Sequence, residues 1–162
     1  MKRHWQYLKY ILRHKWYVFL AACNLGIPLL GILHDWSKFK PAEWLPYART
    51  FYNKDGSKRY EEYPEFTAAW LHHQKRNKHH WQYWMVTWDR GTTECLPMPD
   101  KYRKEMLADW IGAGRALGKP SISGWYVANQ DRIKLHPETR EWIKYELARL
   151  VAKRHSRKTV KR

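Results

Sequence analysis

The chain has 162 residues, of which 44% are hydrophobic and 28% charged, and its formal net charge is +16. That length suits one domain of ordinary size, the apolar fraction is enough for a core, and the charged fraction excludes a membrane-embedded protein. The positive balance favours anionic partners: nucleic acid, nucleotides, phosphates or an acidic membrane surface.

Periodicity reads as helix throughout, with no strand pattern. Residues 3–24 set Leu8, Ile11, Leu12, Val18 and Leu20 among basic residues, the pattern of an amphipathic helix. Gly26-Ile27-Pro28 interrupts it, and a short apolar helix runs on to His34-Asp35. Leu20-Ala21-Ala22-Cys23 looks like a lipoprotein cleavage box, yet the apolar run before it is short and apolar residues continue to Leu33. The segment therefore reads as two core helices around a bend, not as an export signal. Asn24 and Pro28 break the apolar run well short of the ~20 residues a spanning helix needs, so no stable membrane insertion is expected.

Ser37 is expected to cap a helix with Pro41 in its first turn and Trp44, Leu45, Tyr47, Ala48 and Phe51 on it. Residues 53–57 form a turn cluster. A long helix is predicted over 64–88, closed by Asp89-Arg90-Gly91 and followed by an extended Pro97-Met98-Pro99. Asp100 is expected to cap a helix reaching about Leu117, and Gly118, Pro120, Ser121 and Gly124 to form a loop. Pro137 opens a last helix carrying Trp142, Ile143, Leu147 and Leu150. The expected fold is a compact all-α helical bundle over residues 1–150, with a basic tail over 151–162. Cys23 and Cys95 are the only cysteines, which suggests neither a thiolate zinc site nor disulfides and fits a reducing cytoplasm.

Nine histidines are present, and their order along the chain carries more than their number. His34-Asp35 ends an apolar helix, where a buried carboxylate needs a charged partner or a metal. Lys38, three residues on, can neutralise Asp35 or hold a substrate phosphate. The bend at Gly26 and Pro28 lets the first two helices pack antiparallel and brings His14 towards His34. On the long helix, at about 100° per residue, His73, Asn77, His80 and Trp84 share one stripe, with His72, His79 and Tyr83 beside it. Asp109 lies on an otherwise apolar helix one turn after Glu105. A surface histidine at 14, a salt-bridged Asp109 and a basic nucleic-acid-binding helix over 72–80 are the plainer alternatives for each element alone. His, His-Asp, His and Asp arriving in order on four helices is harder to ascribe to chance.

That order resembles the HD-domain superfamily of metal-dependent phosphohydrolases. The matching elements are His14 with Val18, Leu33-His34-Asp35 with Lys38, the histidine-bearing helix, and Asp109. The chain is also similar to a family of short uncharacterised proteins of bacteriophages and bacteria. That similarity rests on His34-Asp35-Trp36-Ser37-Lys38-Phe39, on Ala69-Trp70-Leu71 with His73, Asn77, His79, His80 and Trp81, and on Met98-Pro99 with Glu105-Met106 and Asp109-Trp110.

The superfamily resemblance implies an HD-like helical bundle in which His14, His34, Asp35 and Asp109 bind one metal. It implies that His73 and His80 add a second metal or touch substrate phosphate. The expected cofactor is one or two divalent ions: Mn, Fe, Ni, Co, Zn or Mg. Asp35 and Lys38 are the expected catalytic groups, Lys38, Asn77 and His79 the substrate contacts, and Glu43 and Glu105 the carboxylates that orient ligand rings. The implied activity is hydrolysis of a phosphoester in a phosphorylated small molecule, nucleotide or nucleic acid, in the cytoplasm of a bacterial or phage-infected host cell. A non-catalytic nucleic-acid-binding protein or a phage-encoded host-interaction protein is the alternative.

Overall fold

The computed structural model describes residues 1–119 and 121–159. Pro120, expected in a loop, and Val160, Lys161 and Arg162 of the basic tail lie outside the described residues.

Helix α1 spans Lys2–Asn24 and buries one stripe, including Tyr7, Ile11, His14 and Val18. Gly26, at φ 76°, takes the left-handed turn the bend requires. Pro28, pre-set for a first helical turn, opens α2, Pro28–Leu33. The two helices touch closely: a Cβ on Gly31 would stand 2.6 Å from the Ala22 Cβ. A 3₁₀ turn, Trp36–Phe39, leads into α3, Pro41–Phe51. Ser37 lies in that turn and does not cap α3; Lys40 holds the cap position.

Helix α4 spans Pro64–Arg76 and ends there, which corrects the long helix expected to Trp88. Asn77 turns extended, and its side-chain amide donates to the His73 carbonyl, closing the helix end as short polar side chains do. Beyond it the chain makes a 3₁₀ turn, Trp81–Trp84, and then a two-stranded antiparallel hairpin. Its strands are β1, Met85–Thr87, and β2, Thr93–Cys95, with Val86 opposite Glu94. Asp89-Arg90-Gly91 therefore closes a hairpin instead of a helix, and the threonines and Val86 suit strands.

Helix α5 covers Asp100–Ala116, with Asp100 in its first turn and Pro99, not Asp100, at the cap. It lies along α1, where a Cβ on Gly112 would stand 2.4 Å from Val18 Cγ2. The loop expected around Ser121 and Gly124 is instead helix α6, Ile122–Asn129, whose N-terminus is capped by the Ser121 hydroxyl accepting from the Gly124 N–H. Those residues read as breakers because a serine cap and a loop look alike in sequence. Helix α7, Pro137–Thr159, runs on through residues expected in the tail.

Among the described residues the fold is all-α apart from the hairpin, with two hydrophobic clusters. One joins α1, α5, α6 and α7 through residues such as Val18, Met106, Tyr126 and Ile143. The other joins α1, α3 and α4 through Tyr7, Ile11, Tyr47 and Phe66. His14 stands between Ile11 and Val18, where the clusters meet. Among the described residues no helix is long and apolar enough to cross a membrane.

Candidate metal centre

The centre is built at that junction. His34 ends α2, and Asp35 follows in the left-handed region at φ 56°, the one non-glycine residue with positive φ among those described. Aspartate tolerates this conformation better than most residues, and the local cost is typical of functional positions. The result is two consecutive side chains that are both buried, 1% and 2% exposed.

The Asp35 carboxylate faces two ways. Its Oδ2 lies 3.2 Å from His34 Nε2 and 3.6 Å from His14 Nε2. Asp109 Oδ1 closes this side at 3.2 Å from His14 Nε2 and 3.3 Å from His34 Nε2. Asp35 Oδ1 lies 3.3 Å from His73 Nε2 and 3.5 Å from His79 Nε2. The donor atoms of His14, His34, Asp35 and Asp109 all lie within 4.8 Å of one another, and so do those of Asp35, His73, His79 and His80. Asp35 belongs to both groups.

The outward ring nitrogens of His34, His73 and His79 are held by carboxylates. Glu105 Oε1 accepts from His34 Nδ1 at 3.2 Å and lies 3.3 Å from His79 Nδ1. These three also stand close enough to form a third ligand group, but through the Nδ1 atoms of two rings whose Nε2 atoms already face Asp35. Glu43 Oε2 accepts from His73 Nδ1 at 2.7 Å and from the Ser37 hydroxyl at 3.0 Å. A proton held on Nδ1 leaves the lone pair on Nε2, which points inward.

Apart from the charge contacts given above and the Lys38 ammonium against Asp35 Oδ2, the Nε2 atoms of His14, His34, His73, His79 and His80 and both Asp35 oxygens have no hydrogen-bond partner, although all are buried. Leaving one such atom unpaired costs about 1–3 kcal/mol, and a bound cation would satisfy the convergent set together. The donors fit a divalent transition metal. Three histidines with a carboxylate on one side, and two with two on the other, suit Mn, Fe, Co, Ni or Zn, whereas Mg prefers oxygen alone.

Charge in the centre is strongly organised. Burial opposes ionisation of Asp35, but His34 and Lys38 override it and hold its pKa well below the usual carboxylate value. Burial opposes ionisation of Asp109 likewise, and the imidazoles of His14 and His34 beside it bring it well below its ordinary value. Burial disfavours the His34 imidazolium, yet Asp35, Asp109 and Glu105 raise its pKa well above normal. Asp35 and Glu43 do the same, less strongly, for His73 against its own burial. Burial, together with neighbouring imidazoles, lowers His79 and lowers His80 far more, leaving both neutral and ready to donate a lone pair. Lys38 Nζ sits 2.5 Å from Asp35 Oδ2. Burial works against its charge, but Asp35 and Asp109 keep its pKa above the ordinary lysine value.

All six residues expected to bind metal, His14, His34, Asp35, His73, His80 and Asp109, come together here. His79, expected on the substrate, stands within the ligand groups. The helical stripe expected to align His73, Asn77, His80 and Trp84 does not exist, because the helix stops at Arg76; His79 and His80 enter from the loop after it. Asn77 donates to the Ser37 hydroxyl at 3.1 Å and stands 3.0 Å from His73 Nδ1, bracing the ring. His72 is exposed on the outer face of α4. Sequence reasoning missed the role of Ser37, whose hydroxyl ties Glu43, His73 and Asn77 together; the signal was its place two residues after Asp35. It also missed Lys15, whose ammonium donates to the backbone carbonyls of Ile32 and His34 and pins the start of the turn.

A family model described as "Family of unknown function (DUF5662)" matches residues 3–149. No curated protein and no solved structure matches the chain.

Proposed function

We propose that this chain, which belongs to the family of unknown function DUF5662, is a metal-dependent phosphohydrolase with an HD-like, dinuclear centre. The observation that carries the reading is Asp35, whose two oxygens face two separate groups of unpaired imidazole nitrogens. A carboxylate shared in this way suits two ions a few ångströms apart, the arrangement used to hydrolyse phosphoesters. The order His14, His34-Asp35, His73, Asp109, its resemblance to the HD-domain superfamily, and the +16 charge support a phosphorylated small molecule, nucleotide or nucleic acid as substrate.

Bound here, divalent ions supply the acidity that makes water a nucleophile near neutral pH and positive charge for phosphoryl oxygens. The protein's own residues do the rest. Asp35 and Asp109 bring negative charge that offsets the ions. Glu43 and Glu105 fix the ring orientation and tautomer of His34, His73 and His79. Lys38, whose ammonium sits against Asp35, remains protonated and provides a positive charge for a phosphoryl group. Burial of the set keeps bulk water from screening these charges.

As a purely nucleic-acid-binding helix, the 72–80 run would have to present its rings. His73 and His79 are 0% and 2% exposed, which favours the enzyme over that binding mode.

Elemental analysis of the purified protein tests the reading, together with hydrolysis of p-nitrophenyl phosphate, bis(p-nitrophenyl) phosphate and a nucleotide panel after Mn or Fe is added. Wild type should hold up to two equivalents of metal. His80→Ala and Asp109→Ala should each hold one fewer, and Asp35→Ala should hold none and be inactive. No metal in wild type and no hydrolysis after loading would sink the proposal. Unaltered metal content in Asp35→Ala would dispose of the shared carboxylate.

A further inference from the structure

Helix α1 is apolar on two sides. Its buried stripe faces α5, but Trp5, Leu12 and Trp16 lie on the opposite side, 59%, 54% and 57% exposed. With Lys9 they fall within about 60° of one another around the helix. The stripe continues onto α2. Trp16 contacts Phe19, against whose backbone Gly31 packs, and Lys15 lies 5.2 Å from the centre of the Trp36 ring. Leu29, Ile32 and Leu33 of α2 are all more than half exposed. Large exposed apolar patches on a small protein mark an interaction site.

Charge selects the occupant. Residues 1–42 carry seven Lys and Arg and a single acid, Asp35, which is buried. Lys9 rests over the Trp5 ring and Arg13 over Tyr17, so cations are interleaved with the aromatics. A second copy of the chain would bring the same cations, Arg13 and Lys15, to both flanks of a symmetric helix seam, with no acid to answer them. A single-stranded nucleic acid would use the tryptophans as stacking platforms but leave the aliphatic knob of Leu29, Ile32 and Leu33 in water. Tryptophan, aliphatic residues and lysine or arginine on one surface match a bilayer interface, where the apolar groups enter the acyl boundary and the cations meet anionic headgroups.

We propose that the outer face of α1, α2 and the following 3₁₀ turn docks the protein peripherally on an anionic lipid bilayer. This docking is independent of the metal centre. It involves no spanning helix, only a few side chains at headgroup depth.

The test is flotation of the intact, metal-loaded protein with vesicles of phosphatidylcholine, with and without phosphatidylglycerol, at low and high salt. Brominated acyl chains report depth by quenching tryptophan. Wild type should float with anionic vesicles, keep part of that binding at high salt, and be quenched. The triple variant Leu12→Ser, Leu29→Ser, Ile32→Ser should lose the salt-resistant binding by about tenfold or more and lose the quenching, with its Tm unchanged because these side chains are exposed. Lys9→Glu with Arg13→Glu should lose the low-salt binding, and this pair carries the test if the triple variant is unstable. Binding erased entirely by salt without quenching in wild type would overturn the proposal. So would a triple variant that floats like wild type, preference for a single-stranded oligonucleotide over vesicles, or a dimer that the triple variant dissolves.

Discussion

Two glutamates decide which nitrogen of His34, His73 and His79 faces the centre. Glu105 serves His34 and His79 together, and Glu43 serves His73 while also accepting from Ser37. Replacing either by glutamine keeps the volume but removes the negative charge, so the rings lose basicity and a fixed tautomer. Glu105→Gln and Glu43→Gln should each weaken metal binding by about 10–100-fold, measured by competition with a chromogenic chelator, while the helical circular dichroism stays as in wild type. A second prediction concerns pH. Asp35 and Asp109 have lowered pKa values, so their contribution to the metal-free fold is present above the unfolded carboxylate pKa. It is lost as pH falls through their folded values. His34 and His73 are raised, so their contribution is fully present below the unfolded imidazole pKa and disappears as pH rises through their folded values. The Tm of metal-free protein should therefore drop on both the acid and the alkaline side. Metal competes with the same protons, so the Tm gain on adding Mn should grow between about pH 6 and pH 8. A gain independent of pH would show that metal binds elsewhere.

At the scale of elements, the close approach of α1 and α5 places Asp109 against His14. Gly112 lies one turn beyond Asp109, and any Cβ there collides with the Val18 side chain and backbone. Gly112→Ala should destabilise the fold by about 1–3 kcal/mol through overpacking, seen by calorimetry, and reduce occupancy at the His14 and Asp109 group before the His73 group. The residues that meet at the candidate centre were legible in sequence because a His-Asp pair, further histidine positions and a late aspartate follow in an order that chance rarely produces. The element carrying His79 and His80 was not. Over 64–88 the histidines, tryptophans and lysines can be threaded onto a helical period, and only the Asn77 cap, a single side-chain hydrogen bond, ends the helix. Helix α6 was hidden for the converse reason: Ser121 and Gly124 serve equally as a cap and as a loop, and tertiary packing around Tyr126 decides between them.

For the molecule as a whole, a net charge of +16 surrounds a centre whose proposed substrates are anions. Such a field raises encounter rates and is screened within about 10 Å at 0.1 M salt. The kcat/KM for a nucleotide substrate should fall as ionic strength rises, with kcat nearly constant; a kcat that falls in step would point to disruption of the centre instead. The all-α class was readable from periodicity across the chain, since most segments repeat at helical spacing. That two clusters meet at one histidine was not readable, because it depends on which faces of α1 the later helices cover.

Helix α1 is common to both clusters, and this has a consequence for how the protein is made. The His73, His79 and His80 group can assemble once α4 and the turn after it have left the ribosome. The His14 and His34 group must wait for Asp109 on α5, a pairing between distant parts of the sequence that is slow to form. One half of the centre is thus available during synthesis before the other exists, and a nascent chain halted before residue 100 should bind a single ion with α1 only half covered.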